Sequence, residues 1–126
     1  MKNTTDTNQE KKAYLIVNSQ VFPLTRDVTT IGRKLDNDLV IQDILVSRKH
    51  SEIRFVDDKY YIHDLESTGG TYLNNKKINE SILYSGDLIL ISNIPLMFID
   101  ESKALEMDAA KLTGELSEKD IEEKPE

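Results

Sequence analysis

The chain has 126 residues, a formal net charge of −7, two histidines and neither cysteine nor tryptophan. This length is enough for one domain with a modest core. The absence of cysteine excludes a disulfide framework and a thiolate metal site. The acidic balance argues against general nucleic-acid binding, because affinity for a phosphate backbone comes from clustered cations.

The N-terminal segment is polar and lacks the apolar run of a signal peptide. No segment reaches the roughly 18 consecutive apolar residues that a membrane span needs. We therefore expect a soluble, cytoplasmic protein. Residues 1–12 are mostly Thr, Asn, Asp, Glu and Lys, and such a composition predicts a disordered leader.

Short apolar runs separated by turn residues occupy residues 13–100, which we expect to form the one folded domain. The runs that read as strands are 14–17, 21–24, 29–31, 39–41, 51–55, 60–65, 71–73, 88–91 and 96–99. Pro23 indicates that the second is an edge strand or ends early. About ten or eleven short strands, with a turn signal every few residues, predict an all-β sandwich or barrel.

The C-terminal segment, residues 101–126, has a different composition, with four lysines and nine acidic residues. One face of a short helix is indicated by Leu105, Ala109, Leu112 and Leu116. Gly114 would end such a helix. The sequence therefore predicts an acidic tail that is a short helix in part or disordered throughout.

Three loops between the predicted strands carry groups that can bind a phosphate. In the first, Arg33 follows Gly32, and a guanidinium is a planar fork of donors that matches phosphate oxygens. In the second, the hydroxyl of Ser47 precedes Arg48. The third, 67–71, has two glycines, which let backbone N–H groups approach a ligand closely.

Each loop alone has a plainer interpretation. Arg33 could form a surface salt bridge with Asp36 or Asp38, and Ser47-Arg48 could be an ordinary turn. The three motifs together, in this order and spacing, favour the phosphate site.

At Gly32-Arg33, at 47–50 and at 67–71 the chain resembles the forkhead-associated (FHA) domain family. The resemblance covers roughly residues 14–99 and also includes 37–41, Asp64-Leu65 and Gly86-Asp87. It implies an eleven-stranded, antiparallel-type β-sandwich (SMAD/FHA-like) whose loops at one end bind phosphothreonine. It further implies a module in Ser/Thr-kinase-linked signalling or protein assembly.

The resemblance assigns roles to particular residues. Contact with the phosphate is implied for Arg33 and Ser47, and we also predict phosphopeptide binding by Arg48, Thr68, Gly69, Lys34 and Asn37. Structural places in the motif are implied for Gly32, His50, Gly70, Thr71 and Asn74.

Gly69 departs from the family pattern, in which an asparagine amide at this place usually holds the peptide backbone. Asn37 or Asn74 could supply a substitute amide. The departure keeps an alternative open, namely an FHA-fold interaction or self-inhibiting module with weakened or lost phosphopeptide recognition. Asn75 stands where the family usually has glycine, and a left-handed turn tolerates asparagine.

No acid, base and nucleophile can be assembled from this sequence, so we expect no enzymatic activity, no cofactor and no metal site. His50 opens a predicted strand and His63 lies within one. We interpret both as structural.

The expected partner is a phosphothreonine protein or peptide made by an upstream Ser/Thr kinase, bound by a monomer, with no nucleic-acid or membrane partner. A second hypothesis is self-recognition, because a tethered phosphothreonine has a high effective concentration near its own domain. The candidate phosphorylation sites are Thr4, Thr5, Thr7 and Thr113.

Overall fold

A computed structural model describes residues 12–102. The predicted leader apart from Lys12, the candidate tail helix and Thr4, Thr5, Thr7 and Thr113 lie outside the described residues. The strands of the described part are β1 (Ala13–Val17), β2 (Gln20–Pro23), β3 (Val28–Gly32), β4 (Leu39–Val40), β5 (Ser51–Val56), β6 (Lys59–Asp64), β7 (Thr71–Leu73), β8 (Lys76–Ile78), β9 (Glu80–Leu83), β10 (Leu88–Ile91) and β11 (Ile94–Asp100). The predicted eleven-stranded all-β fold is confirmed.

The strands form a six-stranded sheet, in the order β2-β1-β11-β10-β7-β8, and a five-stranded sheet, in the order β4-β3-β5-β6-β9. The pairs are antiparallel except β3–β4, where Ile31 and Leu39 face each other in a parallel pair. β1 pairs with the end of β11 through Ala13 and Asp100. The first and last strands are therefore neighbours within the six-stranded sheet.

The core lies between the inner faces of the two sheets, and strand alternation selects its members. In β5, Ile53 is buried whereas Arg54 points to solvent. The fully buried large side chains of the core include Leu15, Leu24, Ile31, Ile53, Ile62, Ile89, Ile91, Leu96 and Phe98. Tyr60 packs between the rings of Phe55 and Phe98. The packing of these buried side chains fixes the positions of the strand ends and therefore of the loops between them.

The strands that the apolar runs did not predict lie at the edges of the sheets. β2 is an edge strand that ends at Pro23, as predicted. The sequence pattern did not single out β8 and β9, because edge strands need no continuous apolar face: β8 has one apolar residue and β9 has two, of which Leu83 is buried. Lys76 begins β8, and the turn before it is formed by Asn74 and Asn75 with positive φ angles of 49° and 72°.

Four connections meet at one end of the sandwich. They follow from where the strands end: β3 at Gly32, β6 at Asp64 and β10 at Ile91, while β5 begins at Ser51. The loops 33–38, 41–50, 65–70 and the turn 92–93 are thereby brought together.

In residues 12–102 no helix has the length and apolar character to cross a membrane.

Candidate functional site

A hollow of about 560 Å³ lies between the loops at this end. Its lining combines cations, hydroxyls, exposed apolar side chains and a glycine: Arg33, Ile44, Leu45, Val46, Ser47, Arg48, Lys49, Thr68, Gly69 and Ser92. The three sequence motifs therefore converge on one concave surface, as their resemblance to a phosphate site requires.

Arg33 is held beside Ser47 by its own backbone and side chain. Its N–H donates to the carbonyl oxygen of Ser47 over 3.0 Å, and its Nε donates to the carbonyl oxygen of Val46 over 2.9 Å. These bonds fix the guanidinium and leave its terminal nitrogens for a ligand.

The salt-bridge interpretation of Arg33 is wrong. Asp36 pairs instead with Lys49 at 3.4 Å, and Asp38 pairs with Arg26 at 3.1 Å. Among the described residues no carboxylate lies within 4.0 Å of the guanidinium of Arg33. An uncompensated guanidinium at the rim of a hollow is a site for an anion.

Ser47 joins the second and third loops. Its Oγ accepts a hydrogen bond from the N–H of Thr68 over 3.0 Å. A hydroxyl that already accepts one bond still has its own proton to donate. Ser47 can therefore offer this proton to an oxygen bound next to Arg33.

His50 supports the site from beneath and is fully buried. Its Nδ1 accepts from the N–H of Ser47 over 3.1 Å, and its Nε2 lies 2.8 Å from the carbonyl oxygen of Gly70. With Nδ1 as acceptor, Nε2 carries the proton and donates to Gly70. The ring thus ties the second loop to the third, as a structural histidine would, and does not line the hollow.

Asp64, at the end of β6, orders the third loop. Its carboxylate accepts hydrogen bonds from the hydroxyls of Ser67 and Thr71, both 2.6 Å long, and the Ser67 hydroxyl in turn accepts from the N–H of Gly70. Burial alone would raise the pKa of the Asp64 carboxyl. The hydrogen bonds outweigh burial and lower this pKa below its ordinary value.

Gly32 lets the first two loops approach each other. A Cβ atom here would collide with the carbonyl oxygen of Arg48 and lie 2.8 Å from Nδ2 of Asn37. Asn37 is only 6% exposed, and its Nδ2 donates to the carbonyl oxygens of Lys34 and Arg48. The Nδ2 group of Asn37 is therefore used as an internal brace between the first two loops, whereas its buried Oδ1 has no hydrogen-bond partner among the described residues. Its contact with a peptide stays a prediction.

The other predicted binding residues divide into two groups. Arg48, Thr68 and Gly69 line the hollow. Lys34 does not belong to the lining and lies 4.0 Å from Asp36, so its predicted binding role has no support from the lining of the hollow and stays a prediction. Asn74 lies outside the lining too.

Asn74 braces the start of β10 instead. Its Nδ2 donates to Asp87, and its Oδ1 accepts from the N–H of Leu88. It therefore supplies no substitute amide at the hollow and takes the structural place that the motif implies.

Four lining residues were not singled out from the sequence: Ile44, Leu45, Val46 and Ser92. Ile44 is 86% exposed and Leu45 is 55% exposed. Two adjacent apolar residues in a loop that contains no strand are a signal that could have been used. Ser92 gives no such signal, because only the fold brings the turn after β10 to the third loop.

The family model of the FHA domain matches residues 29–92, about half of the chain. This chain belongs to the FHA domain family. The FHA domain is a family of phosphothreonine-binding modules, so the resemblance noted in the sequence is confirmed.

Similar proteins carry regulatory names. The oxoglutarate dehydrogenase inhibitor of Corynebacterium jeikeium is 40% identical over 82 residues, which cover 65% of this chain and 57% of that protein. The glycogen accumulation regulator GarA of Mycobacterium tuberculosis is 33% identical over 89 residues, covering 71% and 55%. The chain thus spans little more than half the length of these relatives. One of these relatives is named an inhibitor and the other a regulator. Names of this kind indicate a non-enzymatic interaction module.

A solved structure has a similar fold and contains a bound phosphopeptide. Mycobacterium tuberculosis EmbR, in complex with a low-affinity phosphopeptide, superimposes with a TM-score of 0.69 at 30% identity. The match covers 79% of this chain and 29% of EmbR. A complex with a phosphopeptide is thereby known for a protein that contains a region of similar fold.

Proposed function

We propose that this FHA domain binds phosphothreonine peptides through the hollow between its loops and acts as a regulatory module downstream of a Ser/Thr kinase. The observation that carries the proposal is the meeting of Arg33 and Ser47. One supplies a guanidinium without a carboxylate partner in the described part of the chain, and the other a hydroxyl proton. The folded unit that binds is residues 13–100, acting as a monomer in the cytoplasm.

The chemistry of the ligand fits this pair. A phosphothreonine carries about −1.5 to −2 charges and three acceptor oxygens. Arg33 and Arg48 provide cations, Ser47 provides a neutral donor, and all three line the hollow. In a chain of net charge −7, such a local positive surface selects a phosphate on a peptide over a long polyanion.

The exposed apolar pair on the second loop indicates which peptides are preferred. Ile44 and Leu45 stand beside Ser47 with large exposed areas. Burying apolar surface is worth roughly 25 cal/mol per Å². Peptides with an apolar residue near the phosphothreonine are therefore expected to bind more tightly than peptides with a charged one.

A degenerate peptide library tests the proposal. Its three forms have phosphothreonine, phosphoserine or unmodified threonine at the fixed position, and binding is measured to the full chain. Selection of phosphothreonine peptides with apolar neighbours is the expected result. Equal retention of phosphorylated and unmodified forms would support the alternative, an FHA-fold module that has lost phosphate recognition.

A second candidate function is capture of a phosphothreonine from the chain's own terminus. The N–H of Glu101 donates to the carbonyl oxygen of Lys12 over 3.1 Å, so both ends leave the domain together. They leave at the end opposite the hollow, because Ala13 pairs with Asp100 whereas Ile91 pairs with Ile94. A self-bound terminus must therefore span the length of the sandwich.

The required span can be estimated from β11. Its seven residues cover about 23 Å at roughly 3.3 Å per residue. At about 3.4 Å per residue, Thr7, six residues before Ala13, reaches about 20 Å, while Thr5, eight residues before it, reaches about 27 Å. Thr4 reaches slightly further, and Thr113, thirteen residues after Asp100, about 44 Å. Self-recognition therefore favours Thr4, Thr5 or Thr113 over Thr7.

Semisynthetic chains with one phosphothreonine at position 5 or at position 7 test this candidate. Capture would shift the amide resonances of Ser47 and Thr68 in the first chain, independently of concentration, and weaken binding of an added phosphopeptide. The second chain is the control for tether length. Unshifted resonances in the first chain, with the added peptide still bound, would exclude self-recognition through Thr5.

A further inference from the structure

Gly69 and Ser92 face each other across the floor of the hollow. Gly69 lies in the loop between β6 and β7, and Ser92 follows β10. The N–H of Ser92 donates to the carbonyl oxygen of Gly70 over 2.9 Å, which holds the two segments together. A Cβ atom at position 69 would stand 2.5 Å from Oγ of Ser92 and 3.0 Å from the carbonyl oxygen of Leu45. The hydroxymethyl group of Ser92 thus fills the space in which a side chain at position 69 would begin.

The backbone of Ser92 has a conformation that favours glycine. Its φ angle is +61°, in the left-handed region that side chains disfavour. Strained backbone of this kind often occurs at binding sites. No hydrogen bond of the Ser92 hydroxyl is present within residues 12–102, so both its proton and its lone pairs can bind a ligand. The strained position carries a polar group that the fold itself does not use.

Ser92 also stands where two hollows join. The second, of about 450 Å³, shares Leu45, Gly69 and Ser92 with the first and continues to Tyr72 and Asn93. A peptide whose phosphate lies between Arg33 and Ser47 and whose chain continues into the second hollow passes along this shared boundary, to which Ser92 contributes the one side-chain hydroxyl.

We propose that Ser92 binds the main chain of the phosphopeptide beside the phosphothreonine, in the place that a side chain at position 69 would occupy. The inference rests on the proposed function and adds a residue to it. Its hydroxyl donates to a peptide carbonyl oxygen or accepts from a peptide N–H. The hydrogen-bonding group has therefore moved from the third loop to the turn after β10, while the space it fills is the same.

The test compares two probes on the full chain. One is the nonapeptide that the phosphothreonine library selects, and the other is capped phosphothreonine, which has the phosphate but no continuing main chain. Ser92→Ala should bind the nonapeptide about three- to tenfold more weakly, the effect of one hydrogen bond, and capped phosphothreonine as wild type does. Ser19→Ala is the matched control, since Ser19 has a φ angle of 64° and lies outside both hollows.

Unchanged affinity of Ser92→Ala for the nonapeptide overturns the inference, as does an equal loss for both probes, which would place its effect at the phosphate. Failure of the proposed function gives a different result, because wild type then binds neither probe. Thermal unfolding of each variant shows that the domain is folded.

An exchange of side chains adds an independent measurement. Gly69→Asn alone should weaken nonapeptide binding, because the new Cβ meets Oγ of Ser92. Gly69→Asn combined with Ser92→Gly removes that contact and should recover the affinity that the single variant loses. If the double variant loses as much binding free energy as the sum of the losses of the two single variants, the proposal that the two positions share one space is contradicted.

Discussion

The N–H of Thr68 donates to Oγ of Ser47 over 3.0 Å and so joins two loops that are 21 residues apart in the chain. Because this oxygen already accepts a bond, the hydroxyl proton of Ser47 is the part left for a ligand. The same contact places the third loop against the second at the rim where Arg33 is anchored. Binding is therefore expected to depend on residues that never touch the phosphate.

His50 is one such residue. His50→Ala leaves the N–H of Ser47 and the carbonyl oxygen of Gly70 without their buried partner, and each such loss is worth about 1–3 kcal/mol. We expect the free energy of unfolding to fall by at least about 2 kcal/mol and phosphopeptide affinity to fall with it. Urea denaturation and calorimetry measure the two effects.

His63→Ala is the control for His50. His63 is 45% exposed and 3.9 Å from Glu80, and surface pairs of this kind contribute little. Its unfolding free energy should change by no more than about 0.5 kcal/mol. Equal effects of the two substitutions would contradict the bracing role of His50.

Gly32 supplies a second prediction. In Gly32→Ala the new methyl group collides with the carbonyl oxygen of Arg48, and overpacking of this kind costs about 1–3 kcal/mol. The displaced loop carries Ser47 and Arg48, so affinity for the phosphopeptide should fall at least about tenfold, an energy of about 1.4 kcal/mol. Calorimetric titration of the folded variant measures this loss.

Gly86→Ala separates packing from backbone strain. Gly86 has a φ angle of 96°, but no heavy atom lies within 4 Å of the place that an alanine methyl group would take, so only strain of about 1–2 kcal/mol is expected. Its peptide affinity should match that of wild type. A similar loss of binding in both glycine variants would argue against a specific effect at Gly32.

The third loop should respond to acid through Asp64. Its pKa is lowered in the folded state, so its contribution to stability is fully present above the ordinary aspartate pKa of about 3.9 and is lost as pH falls through the lower folded value. The difference in unfolding free energy between wild type and Asp64→Asn should therefore be constant near neutral pH and shrink below about pH 4. A difference that stays the same down to about pH 2.5 would contradict this account.

The sequence predicted the body of the fold well because buried strands require apolar runs. Ile62 and Ile89 lie in such runs, Ile53 lies in a segment where apolar and polar residues alternate, and all three are buried. The short edge strands β8 and β9 were harder to predict, since an edge strand is defined by its neighbours in the sheet and not by its own sequence pattern.

The site residues Arg33 and Ser47 could be predicted, because their side-chain chemistry and their place in a spaced motif both indicate phosphate binding. Residues whose role depends on burial were harder to predict. Asn37 has the amide of a ligand-binding residue, yet its Nδ2 is used by two loop carbonyls. Ser92 lies 45 positions after Ser47 and reaches the hollow only because β10 pairs with β7. Such long-range pairing leaves no local trace in the sequence.

Calorimetric titration of the library-selected phosphothreonine peptide into Arg33→Ala, Ser47→Ala and Lys34→Ala tests the central claim most directly. A hydrogen bond to a charged group is worth about 1.5–3 kcal/mol, so the first two variants should lose at least about tenfold in affinity while remaining folded. Lys34→Ala removes the same charge as Arg33→Ala outside the hollow and should bind nearly as wild type. Wild-type affinity in both Arg33→Ala and Ser47→Ala would contradict phosphothreonine binding at this site.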